Sequence, residues 1–195
     1  MKIADSKYKR QSTRLAGYDY SKSGYYFVTI CTHDRQLLFG DINDDKIKLN
    51  PAGRMVDWEW KQISNKYPWL HLYEHIVMPN HLHGIIQIMD KKTKNFPSGN
   101  IDVIQTRMGT RPIPTPTLSD IIGGFKSITT NHYIQQVKQN HFPAFKKHMW
   151  QQRFYDRIIR HGNELNRMRN YIVENPVNWA ANRNNPAFAA GATNG

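Results

Sequence analysis

The chain has 195 residues, which is enough for one full domain and too short for two of ordinary size. Its 39% hydrophobic content excludes wholesale disorder, and its single cysteine, Cys31, excludes an internal disulfide and a cysteine-based zinc cage. The formal net charge of +12 favours a polyanionic partner, of which nucleic acid is the commonest.

The N-terminal part of the chain predicts a basic arm, a strand and a small hairpin. Residues 1–24 are polar and basic, and their first 14 residues carry charges without a following apolar signal-peptide core. No stretch approaches the roughly 18 apolar residues of a membrane span, so we expect a cytoplasmic protein with no membrane partner. The β-branched and aromatic run Tyr25–Ile30 predicts a strand, and residues 37–49 predict a hairpin with its turn at Asn43-Asp44-Asp45.

The next elements along the chain are a helix and two paired strands. Pro51 opens the predicted helix, and Pro68 lies beyond its end. The side chains that we place roughly on one side of this helix are Met55, Trp58 and Ile63. Residues 71–77 and 81–89 are the strand candidates, joined by a short connection.

The C-terminal half begins with a long loop at residues 90–117, rich in proline and glycine. Thr117 or Ser119 can cap a second helix that runs to about Val137, with an apolar side formed by Ile122, Phe125, Thr129, Tyr133 and Val137. A strand region follows at residues 150–159. Asn163 then caps a third helix over residues 164–175, which Pro176 ends.

The order strand, helix, paired strands, helix, strand, helix predicts an α+β fold of the ferredoxin-like kind. In this fold helices pack on one face of an antiparallel sheet, and here the terminal helix is an addition to that plan. We therefore divide the chain into the basic arm at residues 1–24, one domain at residues 25–183, and a disordered tail at residues 184–195.

The triplet His81-Leu82-His83 is the sharpest local signal of chemistry. Side chains at positions i and i+2 of a strand point to the same face, so both imidazoles can reach one metal ion. Such triplets also arise by chance. Metallo-β-lactamase-type and histidine-triad hydrolases are excluded, because they need further Asp or His residues where this chain has Gly84 and Ile85.

The last predicted helix carries the second signal. Its apolar stripe consists of Leu165, Met168 and Ile172, with Tyr171 beside that stripe and Asn175 one turn later. Taken alone, these two residues have ordinary interpretations. The tyrosine can be a packing residue with its hydroxyl in water, and the asparagine can be a helix stop.

Together, six segments spanning about residues 14 to 180 resemble one family, the REP-associated tyrosine transposases. These are relatives of the single-tyrosine HUH transposases of the insertion sequence 200 type. Each segment is weak alone, but their combination in this order is specific. The segments are Gly17-Tyr-Asp-Tyr-Ser to Thr29-Ile-Cys-Thr, Leu38-Phe-Gly, Val77-Met-Pro-Asn-His81-Leu-His83-Gly, Phe125-Lys-Ser, Trp150-Gln-Gln-Arg-Phe-Tyr-Asp-Arg and Tyr171-Ile-Val-Glu-Asn-Pro.

The resemblance implies an HUH endonuclease domain with the histidines on a central strand and the tyrosine on a late helix. His81 and His83 match the HUH histidines, and Tyr171 matches the nucleophilic tyrosine. Asn175 stands where related transposases place a polar third metal ligand, often the longer Gln. The implied activity is nicking and rejoining of single-stranded or hairpin DNA from palindromic repeats, through a 5′-phosphotyrosine intermediate and with Mg²⁺ or Mn²⁺ as cofactor.

Basic side chains are the candidates for DNA binding, although each could also be a solvated charge. They are Arg10, Arg14, Lys126, Arg153, Arg157 and Arg160. Two alternatives stay open, an HUH replication initiator or relaxase and a nucleic-acid-binding module without catalysis. A homodimer, with a tyrosine served by histidines of a partner, is one arrangement that the sequence leaves open.

Overall fold

The computed structural model describes residues 17–90 and 116–187. In chain order, the strands are β1 (Gly24–Cys31), β2 (Gly40–Asn43), β3 (Lys46–Leu49), β4 (Leu70–Met78), β5 (His81–Ile88) and β6 (Tyr155–Ile159). The helices are α1 (Pro51–Lys61), α2 (Ile63–Lys66), α3 (Leu118–Lys138) and α4 (Gly162–Val173). Two short 3₁₀ turns lie at His33–Arg35 and Trp179–Ala181.

Four strands form the central sheet in the order β4-β5-β1-β6, and every neighbouring pair is antiparallel. The two strands β2 and β3 form the separate hairpin that the turn at residues 43–45 predicted. The predicted α+β fold with an antiparallel ferredoxin-like sheet is thus confirmed. The two middle strands, β1 and β5, are hydrogen-bonded on both edges, which makes them the rigid part of the sheet.

The main hydrophobic core lies between one face of this sheet and helices α1 and α3. Alternate residues of β1 point into it, namely Tyr26, Val28 and Ile30. Trp60 of α1 lies flat against β5 at Gly84, where an added Cβ would stand 2.3 Å from the indole Cζ2. The glycine therefore allows helix and strand to approach closely.

The opposite face of the sheet is covered by α4, the additional helix of the prediction. Its residue Ile172 packs with Phe27, Ile85 and Ile159 of three neighbouring strands. The predicted stripe residues Leu165 and Met168 pack against the same cluster. Because the histidines lie on this face too, the position of α4 decides what surrounds them.

Three local predictions are wrong. Trp58 is 57% exposed, because the buried side of α1 follows Ala52, Val56 and Trp60 at a spacing of four residues. Helix α4 is capped by His161, whose side chain accepts from the backbone N–H of Glu164, and Asn163 lies inside the first turn. The last strand covers residues 155–159 and not 150–159, because Trp150 makes only an isolated bridge with Thr32 and the residues between do not pair with β1.

The cap of α3 is Thr117, which forms a reciprocal capping box with Asp120. Arg10, Arg14 and most of the predicted loop at 90–117 lie outside the described residues. Asn184, the first residue of the predicted tail, accepts a hydrogen bond from Arg35 at 2.7 Å. None of the helices within residues 17–90 and 116–187 is both long and apolar enough to cross a membrane.

Candidate active site

The two histidines occupy the first and third positions of β5 and point away from the main core. Leu82 between them is fully buried on the other face, as the alternation of a strand requires. The Nε2 atoms of His81 and His83 face each other at 3.0 Å. Both imidazoles are buried, so little of either ring meets solvent.

Each imidazole is held from behind through its Nδ1 atom. Asn80 donates its amide protons to the carbonyl oxygens of Arg35 and Asn184, so its Oδ1 faces His81 Nδ1 at 2.9 Å. That Nδ1 must therefore carry the proton, which leaves a lone pair on Nε2 of His81. Thr29 Oγ1 lies 2.8 Å from Nδ1 of His83 and can accept or donate there.

Burial keeps both imidazoles neutral. It lowers the pKa of His83 to about 3 and holds the pKa of His81 well below its usual value. The nearby His83 lowers the pKa of His81 further, and a hydrogen bond with Asn175 acts in the opposite direction. Neutral imidazoles need not lose a proton before they bind a metal ion, so the pair is ready as a ligand set.

Tyr171 lies on α4 directly above this pair. Its ring meets the ring of His83 edge-on at a centroid distance of 5.2 Å and that of Phe27 at 5.8 Å. The side chain is nevertheless 43% exposed, so an external molecule can reach it. The structure thus brings the predicted tyrosine into ring contact with one of the two predicted histidines.

Asn175 follows the end of α4 by two residues and is buried beside His81. Its Oδ1 accepts a hydrogen bond from Asn182 at 3.2 Å. The ring of Trp179 stacks on His81 at 5.9 Å between centroids. The turn after α4 therefore covers His81, while Tyr171 on the helix itself contacts His83.

A cavity of about 680 Å³ opens from His83 toward solvent. Its wall includes His83 and Tyr171, together with the basic residues Arg35, Arg157 and Arg183. No Asp or Glu side chain is among the residues that form this wall in the described part of the chain. A cavity with this charge suits an anionic ligand.

The donor set fits a divalent metal ion. Two ligand atoms bound at about 2.1 Å and at right angles, as octahedral Mg²⁺ requires, lie about 3.0 Å apart, which is the separation of the two Nε2 atoms. Within residues 17–90 and 116–187, no third His, Cys, Asp or Glu joins them to complete a cluster. The amide oxygen of the buried Asn175, beside His81, is the candidate for a third protein donor.

The predicted DNA-binding residues are not all in one place. Arg157 lines the cavity, and its Nε donates to Glu164 Oε1 at 2.7 Å. Arg153 and Arg160 are exposed on the segment that leads into and out of β6. The ammonium group of Lys126 lies apart from the cavity and donates to the carbonyl oxygens of residues 151–153, at 2.9 to 3.4 Å.

Sequence patterns did not identify several residues of this site, namely Thr29, Arg35, Asn80, Trp179 and Arg183. Asn80 had a usable signal, because a polar residue directly before a histidine at a strand start can reach its Nδ1. The others come from chain segments more than 45 residues away from the histidines, and no local pattern marks them.

No protein-family model matches the chain. A solved REP-associated tyrosine transposase bound to a REP hairpin is similar in structure, with a TM-score of 0.54 and 18% sequence identity. The match covers 86% of this chain and 74% of the transposase chain. The match to a putative transposase of Deinococcus radiodurans R1 has a TM-score of 0.41 and 13% sequence identity. It covers 85% of this chain and 98% of that transposase chain. The first of these two structures shows that the chain has the fold of the REP-associated tyrosine transposases, which the six sequence segments resemble.

A relative in sequence is an uncharacterized protein of Haemophilus influenzae, 33% identical over 172 residues. The matched region covers 87% of this chain and 89% of the relative. The chain belongs to the same family as that Haemophilus influenzae protein.

Proposed function

We propose that this protein is a metal-dependent DNA strand transferase that nicks and rejoins single-stranded DNA beside hairpin-forming repeats. The observation that carries the proposal is the contact of Tyr171 with His83, whose Nε2 faces that of His81 at 3.0 Å. A partly exposed phenol is thereby held beside a point at which two neutral imidazole nitrogens converge. This combination suits phosphoryl transfer, which needs a positioned nucleophile beside a point where a metal ion can be held.

The reaction is a transesterification that needs no external energy source. The phenolic oxygen of Tyr171 attacks the phosphorus atom in line with the 3′-oxygen, and the P–O3′ bond breaks. The phenol gives up its proton as it attacks, and the leaving 3′-oxygen takes up a proton. The strand is therefore left with a free 3′-OH and a 5′-phosphotyrosine, with no net change in protons. Attack by another 3′-OH on that ester reverses the step and joins a new strand.

His81, His83 and Asn175 would hold the metal ion, Mg²⁺ or Mn²⁺. When bound, the ion supplies positive charge against the non-bridging phosphate oxygens and polarises the phosphate. The basic residues of the cavity wall, such as Arg157, would hold the neighbouring phosphates of the strand. The chain's own residues thus bind and orient the phosphate, and Tyr171 supplies the nucleophile.

Hairpin DNA is the substrate that the fold neighbour suggests, because that transposase was solved with a REP hairpin bound. The net charge of +12 and the basic wall of the cavity are consistent with this partner. A replication initiator or relaxase would use the same chemistry on a different DNA site. A binding module without catalysis would bind the hairpin and leave it intact.

The decisive experiment incubates labelled hairpins carrying single-stranded flanks with the protein and Mn²⁺, and follows protein–DNA adducts by denaturing electrophoresis. We expect an adduct that maps to Tyr171 and is absent in Tyr171→Phe, which loses only the attacking oxygen. Tyr155→Phe is the matched control, because Tyr155 lines the same cavity and is exposed to the same degree. This variant should form the adduct normally.

A second variant tests the metal site. His81→Ala should bind the hairpin but give no adduct, because it removes one of the two converging nitrogens. An adduct that persists in Tyr171→Phe would refute the assignment of the nucleophile. Undiminished cleavage by His81→Ala would instead refute the metal site. Hairpin binding without any adduct in the unaltered protein would favour the binding module.

A further inference from the structure

The edge strand β6 presents to the cavity an aromatic side chain that has no part in the proposed reaction. Tyr155 is the first residue of β6, is 45% exposed, and forms part of the cavity wall. Within residues 17–90 and 116–187, its side chain takes part in no ring contact and no hydrogen bond. Tyr171, in contrast, has its ring packed against Phe27 and His83.

The register of the sheet places this ring beside the candidate metal site. Tyr155 is directly opposite Thr29 on β1, and Thr29 is directly opposite His83 on β5. The three side chains therefore form one row on the same face of the sheet. Because neighbouring strands are spaced at about 4.8 Å, the backbone of Tyr155 lies roughly 10 Å from that of His83.

A fixed positive charge accompanies the ring. Arg157 is two residues further along β6 and therefore on the same face. Its Nε donates to the buried carboxylate of Glu164, which itself accepts the backbone N–H of Arg160 at 3.0 Å. The guanidinium is thereby held in place beside the ring instead of moving freely in solvent.

We propose that Tyr155 is a stacking platform for an unpaired base of the DNA strand, within a few nucleotides of the phosphate that Tyr171 attacks. Arg157 holds a phosphate of the same strand. The inference rests on the proposed function, since the strand must pass through the cavity to reach Tyr171. An unpaired base would give this ring the flat stacking partner that it lacks, and the basic wall of the cavity attracts the phosphate backbone of the DNA.

The test measures equilibrium binding of a hairpin with a single-stranded flank, without divalent metal so that no chemistry occurs. Tyr155→Ala should weaken binding about tenfold, since one base–aromatic stack is lost, while Tyr155→Phe keeps the ring and should bind like the unaltered protein. Trp58→Ala is the control for loss of an exposed aromatic ring, because Trp58 lies on α1, across the sheet from the cavity. It should not change binding.

Hairpins with a single abasic site at successive flank positions locate the stacked base. At one position, the abasic site should cost the unaltered protein about as much as Tyr155→Ala does. In Tyr155→Ala, that same abasic site should cost nothing further, because the two changes remove one contact.

Unchanged binding by Tyr155→Ala would overturn the inference. It would also be overturned if the loss of affinity from Tyr155→Ala added to the loss from the abasic site at every flank position. Weak binding by Tyr155→Phe would assign the effect to the hydroxyl and overturn it too. The outcome is separable from that of the proposed function, which is decided by the adduct at Tyr171 in the presence of metal.

Discussion

Replacing Asn80 with alanine should weaken metal binding and destabilise the fold, and the two effects can be told apart. The substitution removes the acceptor for His81 Nδ1 and the donor to the carbonyl oxygens of Arg35 and Asn184. Three hydrogen bonds, one buried and two partly buried, at about 1 kcal/mol each predict a loss of up to about 3 kcal/mol in the free energy of unfolding. Loss of the group that orients a histidine ligand typically lowers metal affinity about 10- to 100-fold.

Asn80→Asp is the comparison that separates these effects. Aspartate keeps an acceptor for His81 and loses the amide protons, so it should lower stability while metal affinity stays close to normal. The measurements are calorimetric titration of the DNA-free protein with Mn²⁺ and thermal unfolding in the presence of a chelator. If Asn80→Ala binds Mn²⁺ as tightly as the unaltered protein, or if Asn80→Asp loses affinity equally, then Asn80 does not orient His81.

Two further predictions concern stability. With metal chelated, the free energy of unfolding should fall as the pH drops from about 6.5 toward 3. The pKa of His83 is about 3 in the folded state, so in this range only the unfolded chain takes up a proton at this residue. The contribution of His83 to this fall is at most about 1.4 kcal/mol per pH unit. Urea unfolding between pH 7 and 4 should show a flatter dependence in His83→Gln but not in His71→Gln, and equal slopes in all three proteins would contradict the assignment. Gly84→Ala should cost about 1–3 kcal/mol in a thermal-unfolding assay, because its Cβ would stand 2.3 Å from Trp60. The control Gly123→Ala meets no atom within 4 Å, and equal stability of the two variants would refute the packing argument.

The sequence was sufficient for the sheet and for the central residues of the site. The spacing of His81 and His83 determines that both point to one face of a strand, whatever the rest of the fold does. Such short-range relations depend on local geometry, which the order of residues determines. Tyr171 lies on α4 as predicted, whereas the helix ends at Val173, so Asn175 lies in the turn beyond it and not one helical turn further along the same helix.

Other features depend on contacts between distant segments and could not be read from local patterns. The prediction for α1 chose large side chains, but the face that is buried is decided by the position of Gly84, which accepts Trp60 rather than Trp58. The start of α4 is likewise coupled to Glu164, which bonds to Arg157 and to the backbone of residue 160. The basic wall of the cavity also combines residues from both halves of the chain.

The connection between β4 and β5 gives the site an unusual sensitivity to chain length. Only Pro79 and Asn80 separate Met78, the last residue of β4, from His81, the first residue of β5. If one residue were inserted or deleted here and the turn still used two residues, the register of β5 against β4 would shift by one residue. Leu82 would then face the cavity, and both imidazoles would enter the apolar core. A change of length at this turn is therefore tolerable only where the loop itself absorbs it, so that the register that presents both histidines to the cavity is kept.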